Sequence, residues 1–163
     1  MDKAAIATLL AYNFWANARI LAACEKISTA HFTALVTPDP GWGSLRATLV
    51  HVLDTEYGWR LLLQAQDASL ILVAEDFADV ATLQARWAIE RQAWLAYESG
   101  LTTQQLNAPY GAGPQSGPKV WQTIVHVVNH GTQHRSEVAT MLTAYGQSPG
   151  ELDFALFLTE EAG

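Results

Sequence analysis

Apolar residues recur at intervals of three and four along almost the whole chain rather than at every second position, the pattern of amphipathic helices and not of half-buried strands. Four long stretches carry it. The first runs from about Asp2 to Lys26, with Asp2 as N-cap and Tyr12 and Trp15 in its middle. STAHFTAL behind it reads as a short turn or helix, and VTPDPGWG breaks the chain. The second begins at Ser44, a good N-cap, and continues to about Gln66 across Gly58, which costs about 1 kcal/mol relative to alanine in mid-helix. The third spans about Asp79 to Glu98 and is stopped by Ser99 and Gly100. LTTQQLNAPYGAGPQSGPK follows as a loop, its second half too rich in glycine and proline for helix. The fourth covers about Lys119 to Tyr145 with Gly146 as its stop, and SPGELDFALFL is expected to pack back on the rest. Four amphipathic helices without internal repeats predict an all-α four-helix bundle, one domain over residues 1–163.

Composition narrows what such a bundle does. A chain of 163 residues that is 50% hydrophobic buries a core without disulfides or metal staples, so a metal here would serve something other than holding the fold. A net charge of -7 repels phosphate backbones and anionic lipid surfaces, and neither nucleic acid nor membrane is expected as a partner. No apolar run approaches the roughly 20 residues of a membrane span. The opening MDKAAIATLLAYNFWANARIL lacks a small-residue cleavage site after a basic leader, and the expected location is cytoplasmic. The single cysteine, Cys24, lies in an apolar helical pattern and reads as a buried structural thiol.

Three of the five histidines fall in HVVNHGTQHR, residues 126 to 135, at a strict interval of four. Val127, His130, His134, Val138, Met141 and Tyr145 form the bundle-facing stripe of the fourth helix, so His130 and His134 stand where apolar side chains belong. A buried imidazole without a partner costs about 1 to 3 kcal/mol. Two rings four residues apart share one face and reach one ion. His126 and His134 are about 12 Å apart along the axis, too far for both to bind it. His130 and His134 are therefore the pair, with His126 on the rim or behind a ligand. A third ligand must come from another helix, where His51 is the natural candidate. It shares a small, polar strip with Ala47, Thr48, Asp54, Thr55 and Gly58, while Leu45, Leu49, Val52, Trp59 and Leu63 face the core. The alternative is that this strip faces solvent. His31 has no comparable support.

Three neutral imidazoles leave positions open for water or substrate, the arrangement of a catalytic site. Imidazole serves zinc, nickel, copper and iron alike, and a divalent ion, zinc or nickel, is expected. Glu137, Asp54 and Glu56 are carboxylates placed to orient a ligand or accept a proton, and Trp15 and Tyr57 are aromatics placed to line a pocket. Histidines that are purely structural are the competing explanation.

IVHVVNHGTQHRSEVATML resembles the signature of the DinB family, of DinB/YfiT-like type, whose pattern is close to HxxNHxxxHRGQ. YNFWANARIL resembles the family's first helix, GSLRATLVHVLDTEYGW its histidine-bearing second, and LDFALFL its closing segment. The resemblance implies a four-helix bundle, commonly a homodimer, with a divalent metal on His51, His130 and His134. It further implies a thiol S-transferase acting on small electrophiles with bacillithiol or mycothiol, or a thiol-dependent isomerase, or a non-catalytic metal-binding or stress-induced dimer. Ser136 and Glu137 depart from the pattern, standing where glycine and glutamine are usual.

Overall fold

The computed structural model describes residues 1–37, 42–111 and 116–161. PDPG and AGPQ, the centres of the two expected breaks, lie outside the described residues. Among those described, four long helices form: α1 Lys3–Cys24, α3 Leu45–Leu63, α4 Val80–Gly100 and α6 Val120–Ala144. Between them lie the short α2 Thr29–Thr33, a 3-10 turn Ala74–Asp76 and α5 Thr103–Asn107, and α7 Phe154–Glu161 closes the order. Each start has a local cause. Asp2, Ser44 and Asp79 accept hydrogen bonds from the N–H groups of Ala5, Ala47 and Thr82, satisfying donors that the first turn leaves orphaned. The end of α6 is a Schellman turn, with Gln147 N–H on Leu142 O and Gly146 in the left-handed region.

Three boundaries differ from the sequence reading, and the first is the end of α4, which runs through Ser99 and Gly100, the expected stop, to a cap at Leu101. The second long helix stops at Leu63 and not near Gln66, because Ala65 takes a left-handed φ of 54° while Gln66 N–H caps Leu61 O. The segment expected to be loop after α4 contains α5, nucleated by a capping box in which Thr102 and Gln105 satisfy each other's backbone N–H groups.

Both α1 and α3 pack along α6, the central element. One buried cluster joins Ile20, Leu49, Leu53, Leu83, Trp87 and Val138, and a second joins Ile6, Leu10, Trp94, Ile124 and Val127. The closing segment packs on α1 through Phe157, which lies against Tyr12 and Trp15. Cys24 is buried with no disulfide partner, and burial pushes its thiol up to about 12, which makes it unreactive.

Polar groups also cross this interior. Arg135 donates to Asn13 Oδ1 at 2.6 Å and Asn17 Oδ1 at 2.8 Å. Both asparagine amides then donate to Glu56 Oε1, at 2.6 and 2.9 Å, and Trp87 Nε1 donates to Glu56 Oε2 at 2.8 Å. All five side chains are buried. The network ties α6 to α1, α3 and α4 directly beside His134. Gly131 makes room for it, since a Cβ there would stand 2.7 Å from Arg135 Nη1 and 3.0 Å from Asn13 Oδ1. A second buried pair, Arg60 and Glu90, fastens α3 to α4 through two parallel hydrogen bonds.

Candidate metal centre

Packing α3 against α6 brings together His51, His130 and His134. One nitrogen from each ring lies within 4.8 Å of the others, so the three form a group able to hold a metal ion. His51 Nε2 and His130 Nε2 are 3.0 Å apart. The ring of His134 lies 4.8 Å from that of His51 and 4.5 Å from that of His130, centroid to centroid. The strip that carries His51 is partly covered: Thr48 is fully buried, with its hydroxyl satisfied by Ser44 O, while Ala47, His51, Asp54, Thr55 and Gly58 are half-exposed. Of the core positions expected on the other side of α3, Leu45, Leu49 and Val52 are buried, whereas Trp59 and Leu63 are half-exposed.

The electrostatics favour the neutral form of His51 and His130. Burial, together with His134, His51, His126 and Arg135, lowers the pKa of His130 to about 4. The pKa of His51 is lowered as well, first by burial and then by His134, against the opposing pull of Asp54 and Glu137. Neutral rings offer lone pairs. His134 Nδ1 lies 2.7 Å from Glu137 Oε2, and a proton donated from that nitrogen to the carboxylate leaves Nε2 as the free lone pair. His130 Nδ1 is buried without a hydrogen-bond partner. In that ring, a proton on Nδ1 has no acceptor, and a lone pair on Nε2 faces the nitrogen of His51. The 3.0 Å pair is a hydrogen bond when one of the two Nε2 atoms carries a proton; when both keep lone pairs, a cation would be held between them, and three imidazole donors suit a divalent ion.

The other expected residues are distributed around this point. His126 is exposed, its ring 5.9 Å from that of His130, and stands on the rim. Glu137 is placed to orient His134. Asp54 instead accepts the N–H of Leu72 at 2.7 Å, holding the connection after α3. Glu56 points away, into the buried network with Asn13, Asn17 and Trp87, where it can neither orient a ligand nor accept a proton from the site. Trp15 lies beside Arg19 and Glu160, and Tyr57 beneath Arg60 and Arg86, neither against the histidines. His31 is exposed and stacks on Tyr145.

The aromatic at the centre is one that the sequence pattern does not mark. Trp42 lies flat on the His51 ring, centroids 3.7 Å apart and planes 17° from parallel, and edge-on to His134 at 6.5 Å. It is 44% exposed and covers one side of the cluster. Backbone bonds from Val36 N to Gly43 O and from Ser44 N to Trp42 O place it just before the first turn of α3.

Comparison with known proteins places the chain among relatives. Protein DinB of Bacillus subtilis (strain 168) is 26% identical over 164 aligned residues, which span 92% of this chain and 91% of the relative. The profile of the DinB family matches residues 1–162, and with that match over nearly its full length the chain belongs to the DinB family.

Proposed function

We propose that this protein is a metal-dependent enzyme in which His51, His130 and His134 hold one divalent ion, zinc or nickel, and that it joins a small thiol to an electrophilic small molecule. The observation that carries the reading is the convergence of three imidazoles from two helices, with His134 oriented by Glu137. An ion bound there supplies a Lewis acid that favours thiolate over thiol near neutral pH. The chain's own residues set the conditions. Burial keeps His51 and His130 unprotonated. Glu137 fixes the tautomer of His134, and Trp42 shields the His51 ring from water on one face. In the transfer, the S–H proton leaves to solvent and a sulfur lone pair forms the new bond to carbon. The leaving group departs with the electron pair of the bond that breaks.

Elemental analysis of the purified protein is expected to find about one divalent ion per chain, and none in a His130→Ala, His134→Ala double variant. Incubation of the loaded protein with a panel of low-molecular-weight thiols and electrophiles, read by mass spectrometry, is expected to give a thioether adduct that the double variant does not form. A stoichiometric metal with no turnover across the panel would favour the non-catalytic metal-binding protein instead.

A further inference from the structure

Along α6 from the histidine cluster toward its N-terminus lies a cavity of about 290 Å³, lined by Trp59, Pro118, Gln122, Thr123 and His126. His126 is the junction, its ring 5.9 Å from that of His130 and 5.4 Å from that of Trp59. Trp59 is backed edge-on by Tyr110 at 6.2 Å. Tyr110 can take that position because residue 117 is glycine, where a Cβ would overlap the tyrosine ring.

Thr123 is buried, yet its hydroxyl has no hydrogen-bond partner. Thr8, Thr33, Thr48, Thr132, Thr140, Thr143 and Thr159 give their hydroxyl to the carbonyl four residues back, and Thr55, which does not, is half-exposed where Thr123 is buried. A buried hydroxyl left unpaired is costly, and this one belongs to a residue lining a cavity with an aromatic wall, whose His126 stands next to His130. Thr123 and His130 are seven residues apart, about 10 Å along the helix axis, a distance that one substituted aromatic ring bridges.

We propose that this cavity is a substrate subsite, taking a small molecule whose planar apolar body lies on Trp59 and whose hydrogen-bonding terminus reaches Thr123, with the reacting end at the histidines. The proposal rests on the metal-enzyme reading above, and its test separates the two. Zinc-loaded protein is titrated calorimetrically with acetohydroxamate, which offers a metal-binding head alone, then with benzohydroxamate and 4-hydroxybenzohydroxamate. Benzohydroxamate is expected to bind about tenfold more tightly than acetohydroxamate through ring burial. The para hydroxyl is expected to add about three- to tenfold more. Trp59→Leu should abolish most of the first gain. Thr123→Val, which keeps the side-chain shape, should abolish only the second, and it decides the matter if the tryptophan variant is poorly folded. Equal binding of all three hydroxamates, or gains that survive both substitutions, overturns the subsite while leaving the metal centre standing. If protein shown to carry zinc binds no acetohydroxamate, the open metal site is wrong, and the subsite falls with it.

Discussion

The carboxylate of Glu137 bears on the histidine cluster through His134 alone. Where it accepts a proton from His134 Nδ1, 2.7 Å away, it selects Nε2 as the nitrogen that keeps a lone pair. Glu137→Gln retains an oxygen acceptor but loses the charge, so metal affinity should fall about 10- to 100-fold, measured by competition with a chromophoric chelator. Unchanged affinity would make Glu137 a bystander. Gly131 poses the opposite problem. Helix propensity alone says that Gly131→Ala gains about 1 kcal/mol. The new methyl, however, displaces an Arg135 guanidinium pinned by Asn13 and Asn17, which has no free direction in which to retreat. Losing charge-assisted hydrogen bonds worth about 1.5 to 3 kcal/mol each outweighs the gain. The variant is expected to be less stable by about 1 to 2 kcal/mol in urea denaturation, and a more stable variant would show that the arginine repacks freely.

At the scale of helices, the chain of Arg135, the two asparagines and Glu56 sets where α6 sits against α1 and α3, and with it where His134 meets His51. Burial pushes the carboxyl of Glu56 up and the guanidinium of Arg135 down, while the donors around Glu56 and the charge of each residue on the other oppose those shifts. Each charge is therefore tolerated because the other is present, although the asparagines stand between them. Glu56→Gln or Arg135→Met alone should cost about 3 to 5 kcal/mol by stranding the remaining charge. The double variant should cost less than the sum, with a coupling of about 1 kcal/mol or more in a double-mutant cycle. Strict additivity would mean that the asparagines insulate the pair instead of linking it. This network also marks how far the sequence could be read. The long helices and the His130–His134 pair follow from spacing along single elements, while His51 entered only as the remaining mid-helix histidine on another helix. Short α5 gives no periodicity to detect, and its only signal is Thr102 paired with Gln105. Asn13 and Asn17 lie four apart on the buried face of α1, and Glu56 lies within the buried stripe of α3. Those out-of-place polar residues were the visible clue, but nothing in a one-dimensional pattern says that residues 39 and 122 positions apart are partners. Trp42 escaped for the same reason, since its place on His51 depends on how the chain enters α3.

For the whole molecule, metal, protons and stability are linked through the same lone pairs. The hydrophobic clusters include none of the three histidines, so chelation at neutral pH should leave the helical circular dichroism intact and lower the melting temperature only by the binding contribution. That contribution is about 2.7 kcal/mol when free ion exceeds Kd a hundredfold. The pH dependence of the chelated protein has a definite sign. His130 titrates at about 4 in the folded chain against an ordinary 6.5, and His51 is shifted the same way. Between pH 6.5 and 4 the unfolded chain therefore binds more protons, and stability falls as pH falls through that window. Above 6.5 these rings are neutral in both states and contribute no slope. In the loaded protein, protons compete with the ion for the same nitrogens. The melting-temperature gap between loaded and chelated protein should thus be widest at pH 7 and above and should close toward pH 4, while His130→Ala should have little gap at any pH. A gap independent of pH would place the ion on ligands other than these histidines, and collapse of the helices on chelation at pH 7 would make the ion a structural staple for a core that, by its packing, does not need one.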